Sequence, residues 1–228
     1  MKLLAFDTST ETLSIAVGDG ARTWSHTGAG GAQASATLIP AIEALLSQAG
    51  FGLARLDAIA FGRGPGSFTG LRTACAVAQG LGFGAGVPLL PIDTLLAVAE
   101  EARHHHGATR VLAVLDARMD ELYAASYEFD GDGAAWRQLA GPRLIRPEDL
   151  QAPPGWALAG NVFAAYGARL PAGAPRIEAL PGAAALLRLA PALLAAGGAL
   201  PADQALPLYI RDKVAKTTEE RAAERAAP

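Results

Sequence analysis

The chain has 228 residues, a formal net charge of −3 and an apolar fraction of 51%. That is material for one large domain or two lobes of about 100 residues each, with enough apolar side chain to bury a sizeable core. The mixed, slightly acidic charge excludes a free-standing nucleic-acid binder, which carries a basic stripe; contact with RNA through a partner stays open.

Residues 3–6 (LLAF) predict an apolar strand that runs into Asp7. The polar turn TSTET follows, then a second strand over 13–17 and a third within 21–27. The pattern is a strand meander with a carboxylate and hydroxyls in its first turn. A helix is predicted over 35–49, because Leu38, Ile42, Leu45 and Ala49 share one face at helical spacing. Pro40 falls in its first turn or kinks it, and Gly50 closes it. Residues 56–61 form a short apolar strand that enters GRGPGSFTGLR (62–72), and a helix begins near Thr69. Residues 73–92 carry no charge, the length of a membrane span. Gly80, Gly82, Gly84, Gly86 and two prolines break that stretch into a helix and a strand instead. VPLLPI (87–92) is that strand, and DTLLAVAEEARHHH (93–106) is a helix with Asp93 as its N-cap.

The pattern then recurs. A strand, a turn holding Asp116 and Asp120, and a second strand fill TRVLAVLDARMDELYAASYEF, with a third strand at 134–140. A strand at 156–159 and helices near 161–169 and 182–196 follow. The chain therefore divides into an N-terminal lobe (1–106), a C-terminal lobe (107–215) and a charged, Ala-rich tail (216–228), an α/β architecture built from two related halves. Only four apolar residues lie between Lys2 and Asp7, too few for the core of a signal peptide, and the expectation is a soluble, cytoplasmic protein. The single cysteine, Cys75, forbids an internal disulfide and reads as a small buried hydrophobe.

The glycine segment supports two readings. Glycines allow close backbone approach, and a helix N-terminus offers free N–H groups and a positive dipole end, so together they make an anion site, with Ser67 or Thr69 capping the helix or touching phosphate. The lysine of a Walker loop is missing, however, and Arg63 and Arg72 are the only cations nearby. The second reading is a tight strand-to-helix turn with glycine at positive φ. Beyond it, Gly70, Ala74, Ala78 and Gly82 recur every four residues, and Ala76, Gly80 and Gly84 form a second small ridge. A glycine inside a helix costs about 0.8–1 kcal/mol relative to alanine, so packing must compensate, either within the same core or against a helix of another protein. His104, His105 and His106 point about 100° apart along a helix and cannot converge on one ion; they read as a solvated helix end.

AFDTSTETLSIAV, GRGPGSFTGLR and PLYIRDKVAKT, in that order and spanning nearly the whole chain, resemble the TsaB (YeaZ) family of tRNA threonylcarbamoyladenosine biosynthesis proteins. The resemblance implies the actin, sugar-kinase and chaperone-ATPase fold: two duplicated lobes, each a mixed sheet flanked by helices. It implies a non-catalytic scaffold that pairs with TsaD, in a complex also holding TsaE, which forms N6-threonylcarbamoyladenosine at position 37 of tRNAs reading ANN codons. The tRNA is then met through the complex, and a homodimer is the alternative pairing when the chain is alone. First-lobe helices form the bundle in relatives, so Leu38, Ile42, Leu45, Gly70, Ala74, Ala78 and Gly82 are the expected partner interface. Catalytic relatives use a carboxylate in the first turn to place metal and phosphate, which makes Asp7, Gly64, Gly66, Ser67 and Thr69 a vestigial nucleotide site with weak ATP binding at most. No cofactor is expected on this chain; metal and nucleotide belong on TsaD. The His-x-x-x-His metal motif of TsaD-like proteins falls here on Thr94 and Val98, neither a good ligand, and a His-Ser-Glu-Arg stretch of many relatives is replaced by ASAT (34–37). The rival reading of the same fold is an ATP-dependent phosphotransferase with Asp7 and Asp116 facing each other across a cleft; a metalloprotease is disfavoured by the missing histidines.

Overall fold

The structure is a computed structural model and describes residues 1–211 apart from Asp132 and Ala134. The segment read as a charged tail, 216–228, lies outside the described residues, as does the expected lobe end at 215. The chain opens with a meander, β1 (Leu3–Asp7), β2 (Thr12–Gly18) and β3 (Thr23–Ala29), followed by α1 (Ala34–Ala49), β4 (Ala58–Gly64), α2 (Phe68–Ala85), β5 (Leu89–Asp93) and α3 (Thr94–His106). A second meander, β6 (Arg110–Asp116), β7 (Leu122–Asp130) and β8 (Ala135–Ile145), leads to β9 (Ala157–Gly160), the one-turn α4 (Phe163–Tyr166), β10 (Arg176–Glu178) and α5 (Ala183–Ala195).

The two sheets have the same plan. The first is ordered β3-β2-β1-β4-β5 and the second β8-β7-β6-β9-β10. In each, a meander of antiparallel strands is extended by two parallel strands beside its first member. This repeated plan is the actin and sugar-kinase-like fold. The strand β10 is absent from the sequence-based expectation because three residues behind Pro175 carry no periodicity. Helix α1 starts before the apolar stripe, so Pro40 lies in its second turn and the Ala36 carbonyl has no i+4 amide to accept from. No helix among the described residues is long and apolar enough to cross a membrane.

Layering follows side-chain size. One face of the first sheet carries Leu4, Phe6, Leu13, Ile15 and Phe61, and α1 and α2 cover it. The opposite face carries Ala5, Ala16, Ala58 and Ala60, small residues that let α5 approach with Ala183, Leu186 and Leu189. Helix α3 serves both sheets: Ala97 joins the core under the first, while Leu95, Val98, Ala99 and Ala102 pack on β6 and β7. Tyr166, Val162 and Leu170 close the far face of the second sheet. Helix α5 thus comes from the second half of the sequence yet packs on the first sheet.

Glu100 is a charged residue on the inward side of α3, 2% exposed. Arg103 and Arg188 each donate to it, at 2.9 and 2.8 Å, and the Trp136 indole N–H donates at 3.0 Å. Burial pushes its carboxyl up, yet these donors outweigh burial and hold it below the usual carboxylate range. One buried acid thereby ties α3, α5 and β8 together.

Candidate functional site

The first meander turn and the glycine loop meet at the ends of β1 and β4. Asp7 is fully buried. Its Oδ1 accepts from the Ser9 amide at 2.8 Å and the Ser9 hydroxyl at 2.6 Å, the geometry of a self-capped Asx turn. Its Oδ2 has no hydrogen-bond partner and faces the backbone of Gly62, where a Cβ would come within 1.7 Å of it. Burial lifts the Asp7 carboxyl from 3.8 to about 6, against the lowering effect of the Ser9 donors.

The remaining glycines of the loop are filled by the chain itself. A Cβ on Gly66 would stand 2.5 Å from the Ser9 carbonyl oxygen, one on Gly70 1.8 Å from the Thr8 carbonyl oxygen, and one on Gly64, at φ +119°, 2.6 Å from the Leu208 carbonyl oxygen. The Ser67 amide donates to the Ser9 carbonyl at 2.7 Å, and the Thr8 hydroxyl donates to the Gly70 carbonyl at 2.7 Å. The turn over residues 8–10 thus packs directly against the glycine loop, and Ser9, Thr10, Gly66 and Ser67 line the cleft together. The cations are committed as well. Arg63 donates to Asp93 at 2.6 Å, and Arg72 stacks 3.7 Å over the Phe68 ring while donating to the Tyr209 hydroxyl at 3.0 Å. Asp93 is therefore an ion-pair partner, with no side-chain bond to the helix it was expected to cap. Thr69 is exposed, and its carbonyl accepts from Thr73.

A cleft of about 530 Å³ opens between the lobes, lined by Ser67, Phe68, Asp116, Arg118, Tyr209 and Arg211 among others. Asp116 lines it, accepting from the Tyr166 hydroxyl at 2.8 Å and pairing with Arg118 at 3.0 Å. Asp7 is not part of its lining, so the two carboxylates do not face each other across the cleft as a phosphotransferase would require. Thr94 accepts from the Gly64 amide at 3.2 Å, and Val98 lies in the core under the second sheet; both positions are structural. Among the described residues no three His, Cys, Asp or Glu side chains gather in metal-binding geometry. The three histidines sit exposed at the end of α3, with His105 Nε2 3.0 Å from Glu101.

The expected partner interface is corrected by the packing. Leu38, Ile42 and Leu45 of α1, and Gly70, Ala74, Ala78 and Gly82 of α2, are all buried within the chain's own core. A Cβ on Gly82 would lie 2.7 Å from a methyl of Leu89 in the sheet. The small residues of that ridge bring α2 close to its own sheet. The other small ridge, Ala76, Gly80 and Gly84, faces outward with open space at both glycines. Beside it Phe83 is 85% exposed, and Ile39 of the neighbouring α1 is 42% exposed. These two apolar side chains break the amphipathic rule, which was the signal available in the sequence. The segment 201–211, which returns across the mouth of the cleft, had no such signal.

Two mixed sheets of one plan, with a glycine loop packed against the chain's own first turn, define a member of the actin and sugar-kinase-like class. The family described as TsaD, tRNA N6-adenosine threonylcarbamoyltransferase, matches residues 31–180. The tRNA threonylcarbamoyladenosine biosynthesis protein TsaB of Escherichia coli K12 is 34% identical over 227 residues, covering 94% of this chain and 96% of that protein. TsaB of Haemophilus influenzae is 41% identical over 157 residues, 65% of each chain. The solved structure of YeaZ from Pseudomonas aeruginosa superimposes with a TM-score of 0.84 at 39% identity, covering 91% of this chain and 99% of that one. The chain belongs to the TsaB family of tRNA threonylcarbamoyladenosine biosynthesis proteins.

Proposed function

We propose that this chain is the non-catalytic subunit of a tRNA-modifying complex, pairing directly with a TsaD-like transferase that forms N6-threonylcarbamoyladenosine at position 37 of tRNAs reading ANN codons. TsaE joins the same complex, and tRNA is met through it. The observation that carries this reading is the outward face of α2, where Ala76, Gly80 and Gly84 flank an 85% exposed Phe83. An unpartnered aromatic over a row of small residues suits a helix from another protein, because glycine and alanine let two helix backbones approach closely. A self-filled glycine loop supports the non-catalytic part: the nucleotide and metal chemistry belongs on the partner. The test is co-expression with the host's TsaD-like protein followed by sizing. The expected result is a stoichiometric complex that Gly80→Arg abolishes while leaving the chain folded, with loss of threonylcarbamoyladenosine in cells that depend on it. A complex that forms unchanged with Gly80→Arg removes this face from the reading.

A further inference from the structure

The last described residues tie the two lobes together at the front of the cleft. Leu200 bridges to Leu89 at the edge of the first sheet. The Ala205 carbonyl then accepts from Gln79 Nε2 at 2.8 Å and from the Cys75 thiol at 3.3 Å, both on α2. The Leu208 amide donates to the Arg63 carbonyl at 2.7 Å, the Tyr209 ring lies 5.4 Å from Phe68, and its hydroxyl accepts from Arg72. Those anchors belong to the first lobe. The next is in the second: the Arg211 guanidinium, its side chain one-tenth exposed, donates to the carbonyls of Ala117 and Arg118 at 3.1 and 3.2 Å and to the Glu121 carboxylate at 2.7 Å.

The turn that Arg211 grips is unusual. Arg118, Met119 and Asp120 have φ of +59°, +54° and +65°, three successive side-chain-bearing residues in the left-handed region. Such backbone persists where its surroundings hold it. Arg211 supplies two hydrogen bonds to this turn and its entry, and Arg169 supplies another pair to Asp120, at 2.5 and 2.7 Å. Elsewhere, Glu100 joins α3, α5 and β8 through Arg103, Arg188 and Trp136. Two-lobed folds close around ligands by hinge motion, which requires few fixed bonds across the cleft. Here the Arg211 bonds fix the strap to the second lobe at the cleft, and the Glu100 set joins α3 of the first lobe to β8 of the second away from it.

We propose that residues 205–211 form a strap that fixes the angle between the lobes, with Arg211 as its anchor on the second. The cleft is thereby held at one width, and its mouth is occupied by the chain itself. Spin labels at Ser47→Cys on α1 and Gln151→Cys behind the second sheet, in full-length Cys75→Ser protein, read the interlobe distance directly. With the strap intact, one narrow distance distribution is expected. Arg211→Ala should broaden it or add a longer population, and Arg211→Lys, which keeps the charge but loses the forked donor, should fall between. An unchanged distribution in folded Arg211→Ala overturns the proposal. Should that variant fail to fold, hydrogen exchange of the unmodified chain decides. A docked strap protects the Leu208 amide at least about 100-fold over a free peptide; exchange at the free-peptide rate overturns the proposal without any substitution.

Discussion

Asp7 shows how far a single residue can be read from its neighbours in the chain. A carboxylate followed by Thr-Ser-Thr at the end of an apolar strand is legible as a turn, and Oδ1 does cap that turn through Ser9. The fate of Oδ2 was not legible, because it is set by Gly62, more than fifty residues away. Its consequence is a pH dependence. The folded-state value of about 6 lies above the usual 3.8, so folding takes up a proton. The contribution is neutral below pH 4, turns unfavourable as pH rises through 4 to 6, and is complete above 6, at up to about 3 kcal/mol. Asp7→Asn keeps the acceptor for Ser9 and removes the buried charge. It should be more stable than the parent at pH 7, less so at pH 5, and equal near pH 4, as read from urea denaturation midpoints. A stability difference that does not vary with pH would show that Asp7 keeps an ordinary value. Gly70 offers a second check at this scale. A Cβ there would sit 1.8 Å from the Thr8 carbonyl oxygen, so Gly70→Ala must push the helix off the turn, at a cost of about 1–3 kcal/mol. Thermal melting should show the drop, although an alanine in an open helical site would stabilise.

Helix α2 separates what an apolar period reveals from what it leaves open. Small residues every four positions are visible in the sequence on two ridges, and the sequence alone does not say which ridge faces in. The structure assigns Gly70, Ala74, Ala78 and Gly82 to the sheet and Ala76, Gly80 and Gly84 to the surface. The reason is the sheet itself: Leu89 and the turn at Thr8 approach so closely that only glycine fits at positions 82 and 70. Opposite outcomes are expected on the two sides. Ala78→Arg buries a cation with no partner in the core and should unfold the chain, costing several kcal/mol. Circular dichroism and melting detect this before any pairing assay. On the outer ridge, Gly80 has open space around its Cβ position, and Gly80→Ala should raise stability by about 0.5–1 kcal/mol. A second helix backbone packed closely against Gly80 would be pushed off by the added methyl. Co-purification with the TsaD-like protein should therefore weaken in Gly80→Ala even as the melting temperature rises.

At the scale of the whole molecule, the duplicated plan was readable because each half repeats a meander followed by strands and helices. The placement of α5 on the first sheet and the return of residues 201–211 across the cleft were not, since both depend on contacts between residues more than a hundred positions apart. Contacts around the glycine loop and the cleft hold this architecture in one arrangement. The turn at residues 8–10 fills the glycine loop, Asp93 and the Phe68–Tyr209 pair hold the nearby guanidiniums, and Arg211 spans the front of the cleft. A nucleotide would have to displace several of these at once. Linkage makes the consequence measurable in the intact chain: a ligand at 100 times its Kd stabilises by about 2.7 kcal/mol. For a protein of this size that raises Tm by roughly 5–10 °C. Mg-ATP at millimolar concentration should instead shift the melting temperature by less than about 1 °C, a range set by the same relation for a ligand well below its Kd. A shift of several degrees, abolished by Asp7→Ala, would mean that the loop opens to admit phosphate and that the self-filled geometry is only one of its states.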